Sequence, residues 1–174
     1  LNQISSRMMI MLFNQLAVII TIPWLAIQLS PEVFGLVSTS LIIIQVGWVF
    51  IDWGLMNYAT EIWQDRAPKT TKNKLITNLI ASRLILSALY LTLIFCLITL
   101  GVIFIPYSFL PPLALTTIFG TLFPLWFFHV KKNPKDLVGI TLFSRMVFIL
   151  LVMIFVKDDA HAPTYLYLHT VSFM

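Results

Sequence analysis

Apolar stretches of membrane-spanning length alternate with short polar connectors along the whole chain. They run Met8–Leu29, Gly35–Asn57, Leu75–Ile105, Ser108–Phe128 and Leu137–Val156, and Tyr165–Met174 opens another. A hydrocarbon core of about 30 Å takes roughly 20 helical residues to cross, so the pattern predicts an all-α, polytopic transmembrane helix bundle of about five complete spans and the start of a sixth. Polar positions inside the spans are periodic as well. Arg7, Asn14, Thr21 and Gln28 recur at heptad spacing, which keeps them on one helix face with a drift of about 20° per heptad. Ser38, Gln45 and Asp52 repeat that spacing in the second span. Arg83, Ser87 and Tyr90 share a face of the third, Thr117, Gly120, Thr121 and Pro124 a face of the fourth, and Thr141 and Arg145 lie in the fifth. One polar edge on an otherwise apolar helix predicts helices grouped around a wet cavity. For Thr21, Ser38, Thr117 and Thr121 the simpler expectation is packing glue between helices.

Composition agrees with this class. Hydrophobic residues make up 59% of the chain and charged residues 10%, with a mean hydropathy of +0.94, which excludes a soluble globular domain. The net charge of +4 is spread over short connectors rather than gathered into a patch with interleaved aromatics, so nucleic acid is not an expected partner. With the N-terminus in the cytoplasm, the inner segments hold Arg7, Arg66, Lys69, Lys72, Lys74, Lys131, Lys132 and Lys135, and the outer ones only Lys157. That bias sets the orientation. Cys96 lies inside the third span and His161 and His169 have no metal-ligand spacing, so neither a disulfide framework nor a metal site is expected. The first span is too long for a signal-peptide core. Residues 1–174 read as a single transmembrane domain, cut within its sixth helix.

The connectors are short. Ser30 suits a helix cap, Pro31 the first helical position and Glu32 the first turn, which predicts a tight antiparallel hairpin of the first two helices. Pro23 and Pro124 interrupt their helices and serve as bends or hinges. Trp24, Trp48, Trp53, Trp63 and Trp126 are expected at the membrane interfaces.

Ionisable residues inside spans are the main functional candidates, because a charge facing lipid is costly. Arg83 and Arg145 each lie about eight residues from the start of a span, roughly 12 Å deep at about 1.5 Å per residue. Asp52 either pairs with Arg83 at similar depth or leaves it to an anion. The spans offer no obvious acid to Arg145, which is expected to face water or an anion. No Ser/His/Asp, Cys/His or paired-carboxylate constellation points to catalysis, and no phosphate-binding glycine loop points to a nucleotide, so neither an enzyme nor a cofactor is expected.

Four short runs carry a resemblance. Leu29-Ser30-Pro31-Glu32-Val33-Phe34-Gly35, Ile51-Asp52-Trp53-Gly54-Leu55, Pro124-Leu125-Trp126-Phe127-Phe128 and Val156-Lys157-Asp158-Asp159-Ala160, in this order and spacing, resemble the bacterial O-antigen and polysaccharide flippases. These belong to the multidrug, oligosaccharidyl-lipid and polysaccharide exporter superfamily. The resemblance implies the first lobe of a two-lobe exporter in the bacterial inner membrane. Its implied task is moving an undecaprenyl-diphosphate-linked oligosaccharide outward by alternating access, with membrane lipids and other polysaccharide-assembly membrane proteins as neighbours. A cargo with a diphosphate matches arginine, whose planar fork binds phosphate oxygens. Arg83, Arg145, Asp52, Asn14 and Gln45 are therefore the candidate substrate-binding residues. A multidrug exporter of the same superfamily and a membrane-embedded enzyme of surface-polysaccharide assembly remain as alternatives.

The charge bias makes a direct prediction about topology. Cysteines introduced at Lys72 and at Asn133 should be protected from an impermeant thiol reagent added to intact cells, and one at Asp159 should be labelled. Labelling of the first two from outside would reverse the orientation.

Overall fold

The computed structural model describes residues 3–55, 58, 61, 69–122 and 134–172. These form α1 (Gln3–Gln28), α2 (Pro31–Asp52), α3 (Lys69–Thr99), α4 (Leu110–Leu122), α5 (Pro134–Phe155) and α6 (Ala162–Ser172), with short 3-10 turns at Tyr107–Phe109 and Asp159–His161. Among the described residues there is no strand. Four helical stretches are long and apolar enough to cross a membrane: Met8–Gln28, Pro31–Asp52, Lys74–Thr99 and Val138–Phe155. The expected fourth span is described only over the 13 residues of α4, and the sixth over the 11 of α6. Pro124, Trp126 and Trp63 lie outside the described residues.

Two spans end earlier than the apolar run predicts, each for a backbone reason. In α3 the helix stops at Thr99 because Gly101 turns left-handed, with φ 72°. The amides of Gly101 and Val102 then bond back to the carbonyls of Ile98 and Leu97, each at 3.0 Å. A reversal of this kind satisfies carbonyls that the last turn leaves open. Residues 102–106 are apolar yet not helical, which hydropathy alone does not distinguish from more span. In α2 the end comes at Asp52, where Trp53 has φ 34° and ψ 35° and donates its amide to the Val49 carbonyl. Gly54 follows at φ 79°.

The expected hairpin of the first two helices is only a chain connection. α1 packs chiefly on α5 and touches α2 little. Asn14 lies opposite Arg145 and Trp24 opposite Val156, so α1 and α5 run parallel. α2 instead packs on α3, α4 and α6. Its pairing with α3 is antiparallel, since Asp52 meets Arg83 while Ile43 meets Tyr90. The reason is shape and polarity. The inward face of α1 is Asn14, Ala17, Thr21 and Leu25, and its bonding partners lie on α5 and α6 rather than on the apolar α2.

Close approach depends on two glycines. A Cβ at Gly47 would stand 2.5 Å from Tyr90 Cε1, and that ring cannot withdraw because its hydroxyl donates to the Ile43 carbonyl at 2.6 Å. A Cβ at Gly120 would overlap the Trp48 indole. Trp48 thus lies inside the bundle, stacked on His169 with centroids 6.2 Å apart, rather than anchoring a span end. Small residues that admit a neighbour in this way are typical of helix interfaces in lipid, where apolar surface gains nothing from leaving water.

At the opposite rim the connectors lock together. Ser30 makes no side-chain cap; its amide donates to Asp159 Oδ1 at 2.8 Å instead. The Trp24 indole donates to the Val156 carbonyl at 3.2 Å. Asp158 caps the second 3-10 turn, accepting from the His161 amide and lying 2.5 Å from its ring Nδ1. That hydrogen bond to His161 holds the Asp158 carboxyl below the usual carboxylate range.

Both glycine contacts are open to test. Gly47→Ala and Gly120→Ala should each destabilise the folded protein by about 1–3 kcal/mol, the usual cost of overpacking. Thermal unfolding in detergent measures this, and an unchanged midpoint for Gly47→Ala would contradict the pinned position of Tyr90.

Candidate functional site

Polar side chains of the bundle gather at two places. The first joins α1, α5 and α6. Arg145 is 8% exposed; its Nε donates to Asn14 Oδ1 and its Nη1 to Ser172 Oγ, both at 2.7 Å. Ser144 donates to the Ser172 carbonyl at 3.1 Å. Further along, the Thr21 side chain lies beside the Tyr165 hydroxyl, and Thr21 donates to the Ala17 carbonyl at 2.8 Å. Phe148 and Tyr165 pack around His169, with centroids 6.0 and 6.1 Å from its ring. The network is built from heptad positions of α1 meeting one face each of α5 and α6. It ties α1 to two helices that lie far from it in the sequence.

The second place joins α2 and α3. Arg83 Nη2 forms an ion pair with Asp52 Oδ1. The arginine side chain is 12% exposed and the aspartate 35%, so the pair is open on the carboxylate side. Ser87 turns back to the Leu84 carbonyl, and Tyr90 completes the face through Ile43. The whole Arg83-Ser87-Tyr90 stripe therefore faces α2.

The candidates divide accordingly. Asn14 and Arg145 come together in the first cluster and Asp52 and Arg83 in the second, while Gln45 is exposed on α2. Arg145 does not face water as expected; it is turned inward on Asn14 and Ser172. Other polar side chains close helix–helix contacts or turn back on their own helix: Thr116 lies 2.5 Å from Thr170 across α4 and α6, and Thr117 bonds its own helix at Leu113. The side chains of Arg7 and Thr121 lie outside the described residues. Ser172, Tyr165 and His169 were not legible as site residues. They occur in a run too short to show a period, and His169 has no ligand spacing to mark it. Among the described residues, no three of His, Cys, Asp and Glu gather to hold a metal ion.

A family model described as polysaccharide biosynthesis protein matches residues 1–168. No curated protein and no solved structure matches the chain.

Removing Asn14 isolates the role of the first cluster. Asn14→Leu takes an acceptor from a buried guanidinium and should destabilise the protein by about 1–3 kcal/mol or more, whereas Asn14→Gln should retain part of the bond. Unfolding midpoints of the two variants check this. Equal midpoints for Asn14→Leu and the parent would show that α1 docks on α5 through apolar contact alone.

Proposed function

The chain belongs to the polysaccharide biosynthesis protein family, and from that membership we propose that it is the first lobe of a flippase for a lipid-linked oligosaccharide. The cargo is an undecaprenyl-diphosphate-linked repeat unit such as an O-antigen unit, moved across the bacterial inner membrane by alternating access. The single observation that carries this reading within the family is the sign of the intramembrane charge. Arg83 and Arg145 lie inside apolar helices, and the acid beside Arg83, Asp52, is already paired with it. A cavity built for drug cations would need unspent carboxylates. A diphosphate needs guanidinium groups, which bind its oxygens through two parallel hydrogen bonds.

In this reading the N-terminus is cytoplasmic, so the rim carrying Asp52 faces the leaflet where cargo is loaded and the rim carrying Ser30 and Asp159 faces the periplasm. Arg83 is the first phosphate ligand, since its partner is open at that rim. Arg145 is the more enclosed of the two and is reached when α1 and α6 yield Asn14 and Ser172. Gln45, exposed on α2, is available to sugar hydroxyls where a second lobe closes the cavity. Transport rather than covalent chemistry is the task, and other polysaccharide-assembly proteins of the membrane supply and receive the cargo.

The decisive experiment is made in the full-length protein in cells. Arg83→Ala and Arg145→Ala should each abolish surface polysaccharide while the protein persists in the membrane. Arg→Lys at either position should restore it only in part, because lysine keeps the charge and loses the fork. Surface polysaccharide at parental level in both alanine variants, at normal membrane abundance, would sink the reading.

A further inference from the structure

Asp52 is the last residue of α2, and the chain leaves it through two residues in succession with positive φ, Trp53 and Gly54. Its guanidinium partner is sheltered at 12% exposure while the carboxylate is open at 35%. Deeper in the same interface, Gly47 receives the Tyr90 ring and the Tyr90 hydroxyl bonds to Ile43. α2 therefore meets α3 at two levels of different character. One is an uncharged contact fixed by close packing, and the other is an ionic contact at the rim, open on its carboxylate side.

We propose that Asp52 occupies on Arg83 the place of a phosphate, so that an arriving diphosphate displaces the carboxylate and frees the end of α2 to swing about the Gly47–Tyr90 contact. The inference rests on the phosphate-binding role given to Arg83 above and adds to it a built-in competitor that is also the trigger. The chemistry is an exchange of like for like. Carboxylate and phosphate both offer pairs of oxygens that a guanidinium fork binds, and two oxyanions on one fork repel. A diphosphate has more charge and more acceptor oxygens than Asp52 and wins the contest. The displaced carboxylate already lies partly open, so it takes up water at the rim instead of being stranded in apolar surroundings, where an unpaired charge is costly. When cargo departs, Asp52 returns to Arg83 and restores the closed α2–α3 contact. The aspartate thus weakens binding and speeds release.

The test uses the purified full-length protein titrated with inorganic pyrophosphate, with surface polysaccharide measured in cells. Asp52→Asn keeps the size of the side chain and removes the competing charge. It should tighten pyrophosphate binding by about tenfold, within the usual range of coupling between linked sites, and should lower export because release is slowed. Arg83→Ala should lose pyrophosphate binding. If Asp52→Asn leaves affinity unchanged or weaker while Arg83→Ala abolishes it, the exchange is overturned and the phosphate role of Arg83 stands. If pyrophosphate binding survives Arg83→Ala undiminished, the phosphate role falls and the exchange falls with it. Should Asp52→Asn fail to accumulate, Ile51→Cys in the otherwise native protein decides. Residue 51 is 2% exposed, and its reaction with a thiol reagent should rise severalfold when pyrophosphate is added; no rise would overturn the swing.

Discussion

A guanidinium carried into an apolar layer must find oxygen acceptors, and the placement of α1 follows from where Arg145 finds them. Its bonds to Asn14 and Ser172 reach two other helices, and no gain from leaving water draws those helices together within lipid. The Trp24 bond to the Val156 carbonyl repeats the device at another height. α1 is therefore held by a ladder of polar rungs, while most of its circumference is apolar and exposed. Interhelical hydrogen bonds in membranes average about 0.6 kcal/mol each, so a ladder of this kind fixes register more firmly than it fixes the helix in place.

α2 is organised on the opposite principle. Its interior contacts are matters of shape, with glycine on one helix and a ring on the other: Gly47 with Tyr90, and Trp48 with Gly120. Trp48 also stacks on His169, so one aromatic side chain touches both α4 and α6. Buried Val37, Ser40, Ile44 and Ile51 continue the same face. Only at its end does α2 rely on charge. The bundle thus contains a helix with polar attachments and a helix with steric ones, joined through α6, which meets both kinds through His169 and Ser172.

The helices themselves were legible from hydropathy, and the heptad on α1 identified Asn14 and Thr21 as inward residues without naming their partner. The pairing of Asp52 with Arg83 was legible as one of two options from depth alone. Three features were not. Hydropathy does not register a left-handed residue, so the ends of α2 and α3 were placed too far along. Sequence adjacency suggested an α1–α2 hairpin, whereas complementarity between Asn14 and Arg145 overrides it. The partners of the polar edges were not legible either, because a periodicity tells which residues share a face and says nothing of what that face meets. Trp48 and His169 illustrate the last point: each is unremarkable in its own helix and gains its meaning from the other.

The parallel docking of α1 on α5 has a consequence for biosynthesis. Asn14 and its partner Arg145 are separated by 131 positions in the chain. At about 5–20 residues per second, synthesis of the intervening segment takes roughly 7–26 s. During that interval α1 is already in the bilayer with Asn14 and Thr21 on a face that has nothing to receive them, while α2 and α3 are able to pair as soon as they emerge. α1 is thus seated on α5 only after the helices between them have been made. Its polar face is on view to membrane chaperones and proteases throughout, and a ribosome that stalls before α5 leaves that face as the recognisable mark of an unfinished chain.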